Sequence, residues 1–143
     1  MIELRNAIFS ALSGLTYDSK TIPVFDEVVN PSVDLPSAGG AEEVYIVLQD
    51  QQTNMNETQT VCSPRFNLSL TIRIVTIWGT VGSKTVCAEI ATQINNLLRT
   101  DRGGSKINGI DKIELVSERV LTEHTDTNIA FSNILILNFI KNG

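Results

Sequence analysis

The chain is poor in the residues on which most enzyme and metal chemistry depends. Among its 143 residues there is one histidine, His124, and there are two cysteines, Cys62 and Cys87. A lone histidine cannot build a His-based metal cluster, and a Ser-His-Asp arrangement would require His124 to meet a serine and a carboxylate in space. It lies in the turn-like stretch Thr122–Asn128, beside Glu123 and Asp126, where a solvated loop histidine is expected. The cysteines show neither a CxxC spacing nor a histidine companion, so no zinc or redox motif is indicated, and both read as free structural thiols. Long apolar runs are also missing. The longest mainly apolar stretch near the end, Ile134–Ile140, is far short of the ~20 residues a membrane helix needs. Glu3, Arg5, Asn6 and Ser10 interrupt any leader-like start, so a protein that stays in the cytoplasm of the cell that makes it is expected.

Positive charge is scarce as well, with 11 basic residues against 16 acidic ones and a net charge of −5. A surface built to grip nucleic acid would cluster Lys and Arg. Here the closest approach to a cluster, Arg99, Arg102 and Lys106, follows a helix C-terminus, where positive charge is favourable for dipole reasons alone. Aromatic residues make up 6%, which leaves few platforms for stacked bases. The carboxylate pairs Asp26/Glu27 and Glu42/Glu43 are adjacent in sequence, and neighbours on a strand point to opposite faces, so neither pair is expected to share a substrate. Gly79-Thr80-Val81-Gly82-Ser83-Lys84-Thr85 joins a strand to a helix and carries a lysine. It lacks the GxxxxGK[ST] spacing of a phosphate loop and reads as a tight turn.

What the chain does have is periodicity. From Pro64 to Arg99 it reads PRFNLSLTIRIVTIWGTVGSKTVCAEIATQINNLLR. Phe66, Leu68, Leu70, Ile72, Ile74 and Trp78 alternate with Asn67, Ser69, Thr71 and Arg73, the pattern of a strand with one apolar face. Val86, Ile90, Ile94 and Leu97 then recur at helical spacing, which predicts an amphipathic helix over 83–99, with Ser83 as its N-cap, packed back on the sheet. Leu4, Ile8, Leu12 and Leu15 predict a first helix over 3–14. Ile22–Val29 is strand-like, with Pro23 confining it to a strand start or an edge. Residues 30–41, NPSVDLPSAGGA, have loop chemistry. Glu43–Gln49 is an apolar strand expected in the sheet interior. Asp50–Ser63 is polar and fits either a protruding hairpin or a plain loop. Ile113 and Leu115 begin a strand over Asp111–Leu121 whose alternation breaks at Ser117, which a bulge there would reconcile. Ile129–Ile140 closes the chain as an interior strand, apolar on both sides for part of its length. This order predicts one α+β domain over 1–143: a mainly antiparallel sheet with an N-terminal helix and a second amphipathic helix packed on one face.

The helix LRNAIFSALSGL, the strand Tyr45–Leu48, and the strand, glycine turn and helix from Ile74 to Leu98, with Trp78 in the aromatic place, together resemble the tail-completion or tail-terminator family of tailed bacteriophages. Asp126-Thr127 before an aliphatic strand is similar to that family's closing strand. The resemblance implies a structural, non-enzymatic virion protein without cofactor or metal. Such a subunit forms a homo-oligomeric ring at the head-tail junction, assembled in the host bacterial cytoplasm. It would meet connector or portal-side proteins above and tail proteins below, and DNA would pass its lumen without sequence recognition; the net charge of −5 is compatible with an acidic interior that repels DNA. The two polar segments suit contacts between neighbouring copies, which makes Val33, Asp34 and Leu35, and Thr53, Asn54, Met55, Asn56, Glu57 and Thr58, the candidate interface residues. The competing expectations are another connector or adaptor ring of a phage neck, or a small-molecule binding module with His124 as its reactive group.

Overall fold

The computed structural model describes residues 2–27, 29, 35–55, 66–100, 104–107 and 109–141. Helix α1 (Ile2–Leu12) leads into a two-residue hairpin, β1 (Thr16–Tyr17) and β2 (Lys20–Thr21), and then into the short strand β3 (Val24–Asp26). Four strands of equal length follow: β4 (Glu43–Met55), β5 (Phe66–Trp78), β6 (Lys112–His124) and β7 (Ile129–Lys141), with α2 (Thr85–Leu98) between β5 and β6. The sheet order is β3-β4-β5-β7-β6. All pairings are antiparallel except β3 against β4, which is parallel. The molecule is thus an α+β domain with a mostly antiparallel sheet.

Alternation decides which residues enter the core. Leu68, Leu70, Ile72 and Ile74 of β5, and Leu135, Leu137 and Phe139 of β7, are fully buried on one side of the sheet. Leu4, Ile8 and Leu12 of α1 and Val86, Cys87, Ile90 and Ile94 of α2 close over them as one cluster. Both helices therefore cover the same face. Each fully buried Leu or Ile contributes about 1.5–3 kcal/mol of transfer free energy.

The turn after β5 is shaped by Trp78. Its indole N–H donates to Thr76 Oγ1 at 3.0 Å, and its ring lies against Gly82, where a Cβ would come within 2.7 Å of Trp78 and 2.8 Å of Phe131. Gly82 is needed for close approach rather than for a phosphate. The helix cap differs from expectation. Lys84 is the N-cap and offers no side-chain bond, while Ser83 Oγ accepts the Thr85 N–H at 3.1 Å from one residue further out.

Two strands are longer than their apolar content suggested. β4 continues through the polar Gln51–Met55, paired with Phe66–Leu70, and β6 continues to His124, leaving Thr125–Asn128 as the turn. The bulge expected near Ser117 is present. Leu115 pairs with Leu137 and Ser117 with Ile136, so Val116 is the extra residue, and it is exposed. β7 is interior, flanked by β5 and β6. Pro23 immediately precedes β3, which is an edge strand.

Candidate assembly interface

Arg5 joins α1 to the sheet's β3 edge, although the sequence pattern shows it only as a charge interrupting an apolar stripe. Its side chain is 11% exposed. One Nη donates to the Leu48 carbonyl at 2.6 Å and the other to the Gln49 carbonyl at 2.8 Å, while Nε bonds to Asp26. Glu27 lies 3.8 Å away. The adjacent pair Asp26 and Glu27 thus faces a single guanidinium, against the expectation that strand neighbours point apart. Glu27 has φ 69°, which ends the strand alternation at that residue. β4 is irregular between Leu48 and Gln51, just where Arg5 takes its carbonyls.

The candidate residues of the polar segments fall into three groups. Thr53, Asn54 and Met55 are the last ladder positions of β4, opposite Leu68, Asn67 and Phe66, and so belong to a strand rather than a loop. Leu35 is half-buried beside Pro36, whose carbonyl accepts the Val44 N–H at 3.1 Å. Val33, Asp34, Asn56, Glu57 and Thr58 lie outside the described residues. Residues 35–41 lie against the body: Ala38 and Ala41 are buried and bridge each other, and Ser37 Oγ donates to the Glu42 carbonyl at 2.8 Å. The Gly39 N–H donates to an Asp18 carboxylate oxygen at 3.1 Å. Gly39 has φ 61°, and a Cβ there would come within 2.7 Å of Tyr17 and 2.8 Å of Val86.

Asp18 belongs to the β1–β2 hairpin, an element absent from the sequence reading. Its turn residues Asp18 and Ser19 have φ 52° and 63°, the left-handed pair of a tight two-residue hairpin. The preceding Tyr17 donates its hydroxyl to Glu89 of α2. That bond favours the protonated phenol, and with partial burial and the nearby carboxylates it pushes the Tyr17 pKa up to about 12. The hairpin is thereby tied to both the 35–41 segment and α2.

On the sheet face opposite the helices, Val47, Val75 and Ser132 are buried and the remaining residues of β5 and β7 are half-buried. Register places residues across it in rows: Glu43–Ile77–Ala130–Glu123, then Tyr45–Val75–Ser132–Leu121, then Val47–Arg73–Ile134–Arg119, then Thr71–Ile136–Ser117. Phe25 joins Tyr45 edge to face, ring centres 6.1 Å apart. Arg73 is the one charged side chain on the two middle strands of this face. It donates to Ser132 Oγ at 3.0 Å and meets Glu123 at 3.3 Å. On the helix side, Asn133 is buried and donates to Glu118 at 3.0 Å, although it falls on the otherwise apolar face of β7.

His124 ends β6, exposed, on a cavity of about 170 Å³ lined by Gly79, Thr80 and Thr125–Ile129. Cys87 is a free, buried thiol, and burial raises its pKa; Cys62 lies outside the described residues. Among the described residues, no group of three or more His, Cys, Asp or Glu side chains is placed to hold a metal ion, and no helix is long and apolar enough to cross a membrane. Comparison with known proteins finds no matching family model and no matching curated relative.

Proposed function

We propose that this chain is a structural ring subunit of a phage head-tail junction, a tail-completion or terminator protein that acts by assembling rather than by catalysis. The observation that carries the reading is the β4–β5 hairpin. Two 13-residue strands, zipped from Glu43↔Ile77 to Met55↔Phe66, place the polar connection at residues 56–65 at one end of a sheet whose other end holds α2 through the Trp78 turn. The paired strands end level with β7, where Phe66 pairs with Lys141, and a polar segment that joins two such strands suits contact with a neighbouring copy. Connector or portal-side proteins, tail proteins and passing DNA complete the proposed surroundings.

The test replaces residues 56–65 by Asn-Gly, a two-residue turn that fits the Met55↔Phe66 pairing. Wild-type protein is expected to form rings in negative-stain images and by light scattering, and the variant to remain a folded monomer. A wild-type chain that never forms rings would end this reading. Rings that persist in the variant would remove the hairpin from the contact.

A further inference from the structure

We infer that the free edge of β4 at Gln51–Met55 takes up an added strand from the next copy, formed by Thr58–Cys62 of that copy's polar connection. This rests on the ring reading and adds to it the place where the connection lands. On the β3 side, β4 is occupied only as far as its irregularity. The carbonyls of Pro36 and Pro23 accept the N–H groups of Val44 and Ile46, and the Glu27 N–H donates to the Leu48 carbonyl. Arg5 donates to the carbonyls of Leu48 and Gln49. Beyond that point, among the described residues, β4 is paired with β5 alone. Glu27 and Pro36, which flank the preceding connection, lie beside Leu48 and Val44, away from Gln51–Met55.

Register decides which groups face outward. Val44, Ile46 and Leu48 turn their backbone groups toward β3, so Tyr45 and Val47 bond to β5, opposite Val75 and Arg73. Alternation along β5 carries those bonds on to Ser69 and Asn67, opposite Gln52 and Asn54. The irregularity between Leu48 and Gln51 thus reverses the phase, and Gln51, Thr53 and Met55 hold their N–H and C=O groups toward the open edge. Sheet edges are commonly protected by charges, prolines or bulges. β6 is protected in this way, with its bulge at Val116 and Lys112, Glu114, Glu118, Arg119 and Glu123 along it. Gln51–Met55 has no charge and no proline. An edge in that state is a template for strand addition, in which main-chain hydrogen bonds supply the affinity.

Length and composition point to the occupant. Met55 and Phe66 are direct ladder partners, which a two-residue turn would join, yet the ten residues 56–65 stand between them. Five residues out and five back, at ~3.3 Å each, reach roughly 16 Å past the strand ends, enough to meet another molecule. Within them Thr58–Cys62, TQTVC, is uncharged, free of proline and rich in β-branched residues, and it matches the edge in length. Donor and receiver are unlike segments, so copy can follow copy until a ring closes.

The experiment uses the full chain. Thr53→Pro removes an outward N–H and no ladder bond to β5, so it is expected to fold by circular dichroism and melting. It is also expected to stay monomeric by light scattering after size exclusion, whereas Thr53→Ala keeps the N–H and forms rings as the wild type does. Should Thr53→Pro not fold, the decision passes to Gln51→Cys, Thr53→Cys and Met55→Cys, each oxidised with copper phenanthroline against the native Cys62. At one or more of these sites a ladder of covalent multimers is expected in non-reducing gels, absent from the oxidised wild type. Rings formed by folded Thr53→Pro, or no cross-links at all three sites while rings form, would overturn the edge as the landing place. Cross-links confined to single chains, or stopping at dimers, would overturn the passage from one copy to the next. These outcomes leave the ring reading standing; a wild-type chain without rings ends that reading and this landing place together.

Discussion

Removing the Arg5 guanidinium should be among the most damaging changes possible at a surface-rooted residue of this protein. Arg5→Met keeps the aliphatic stem and deletes the fork. Two charge-assisted bonds are lost, to the carbonyls of Leu48 and Gln49, each contributing roughly 1.5 kcal/mol at the low end of its range. The ion pair adds less, because the Asp26 side chain is 47% exposed and such pairs contribute about 1 kcal/mol or below. The expected loss is therefore about 3 kcal/mol, or about 10 °C in Tm for a domain of this size. Urea unfolding of Arg5→Met, Asp26→Asn and the double variant measures it. Asp26→Asn should cost at most about 1 kcal/mol. Arg5→Met in the Asp26→Asn background should still cost about 3 kcal/mol, because both carbonyl bonds remain to be lost, and Arg5→Lys should recover less than half of the loss, because an ammonium cannot fork to two carbonyls. The reasoning fails if Arg5→Met costs under ~1 kcal/mol, or if Asp26→Asn costs as much as Arg5→Met.

Gly82→Ala should lose about 2–3 kcal/mol in thermal or denaturant unfolding, since its new methyl would press on Trp78 and Phe131 in a packed corner; an unchanged midpoint would show that the turn has room. Tyr17 should ionise near pH 12 in an absorbance titration, and Tyr17→Phe should remove that step. Its folded pKa is raised above the ordinary value of 10.0, so the contribution is complete below pH 10 and is lost as pH rises from 10 towards 12. A Tyr17 that titrates at its ordinary value would refute the Glu89 bond.

The parts of the fold legible in the sequence are those where burial imposes a period. β5, α2 and β7 were readable because one face of each meets the core at every second, or every third to fourth, residue. The end of β4 was not, because Gln51–Met55 take their place through ladder hydrogen bonds, which carry no hydrophobic signature. The same holds for Thr122–His124 at the end of the edge strand β6. The bulge at Val116 was visible because it interrupts an alternation that resumes out of phase. Arg5 was invisible as a latch because its acceptors, at Asp26, Leu48 and Gln49, are remote in sequence and two of them are backbone atoms. Of the candidate interface residues, the polar segments are legible as composition. Which residues share a side of the sheet is apparent only from the strand register.

The bulge at Val116 has a consequence for how copies of this molecule can grow. A sheet ordinarily polymerises sideways, by adding strands to its edges. Here one edge, β6, is kinked by an unpaired residue in mid-strand. The other edge, β3, is three residues long, with its end clamped by Arg5. The route across β6 is blunted by the bulge, while on the other side β3 covers only Ile46–Leu48 of β4, so it is accretion along β6 that is disfavoured.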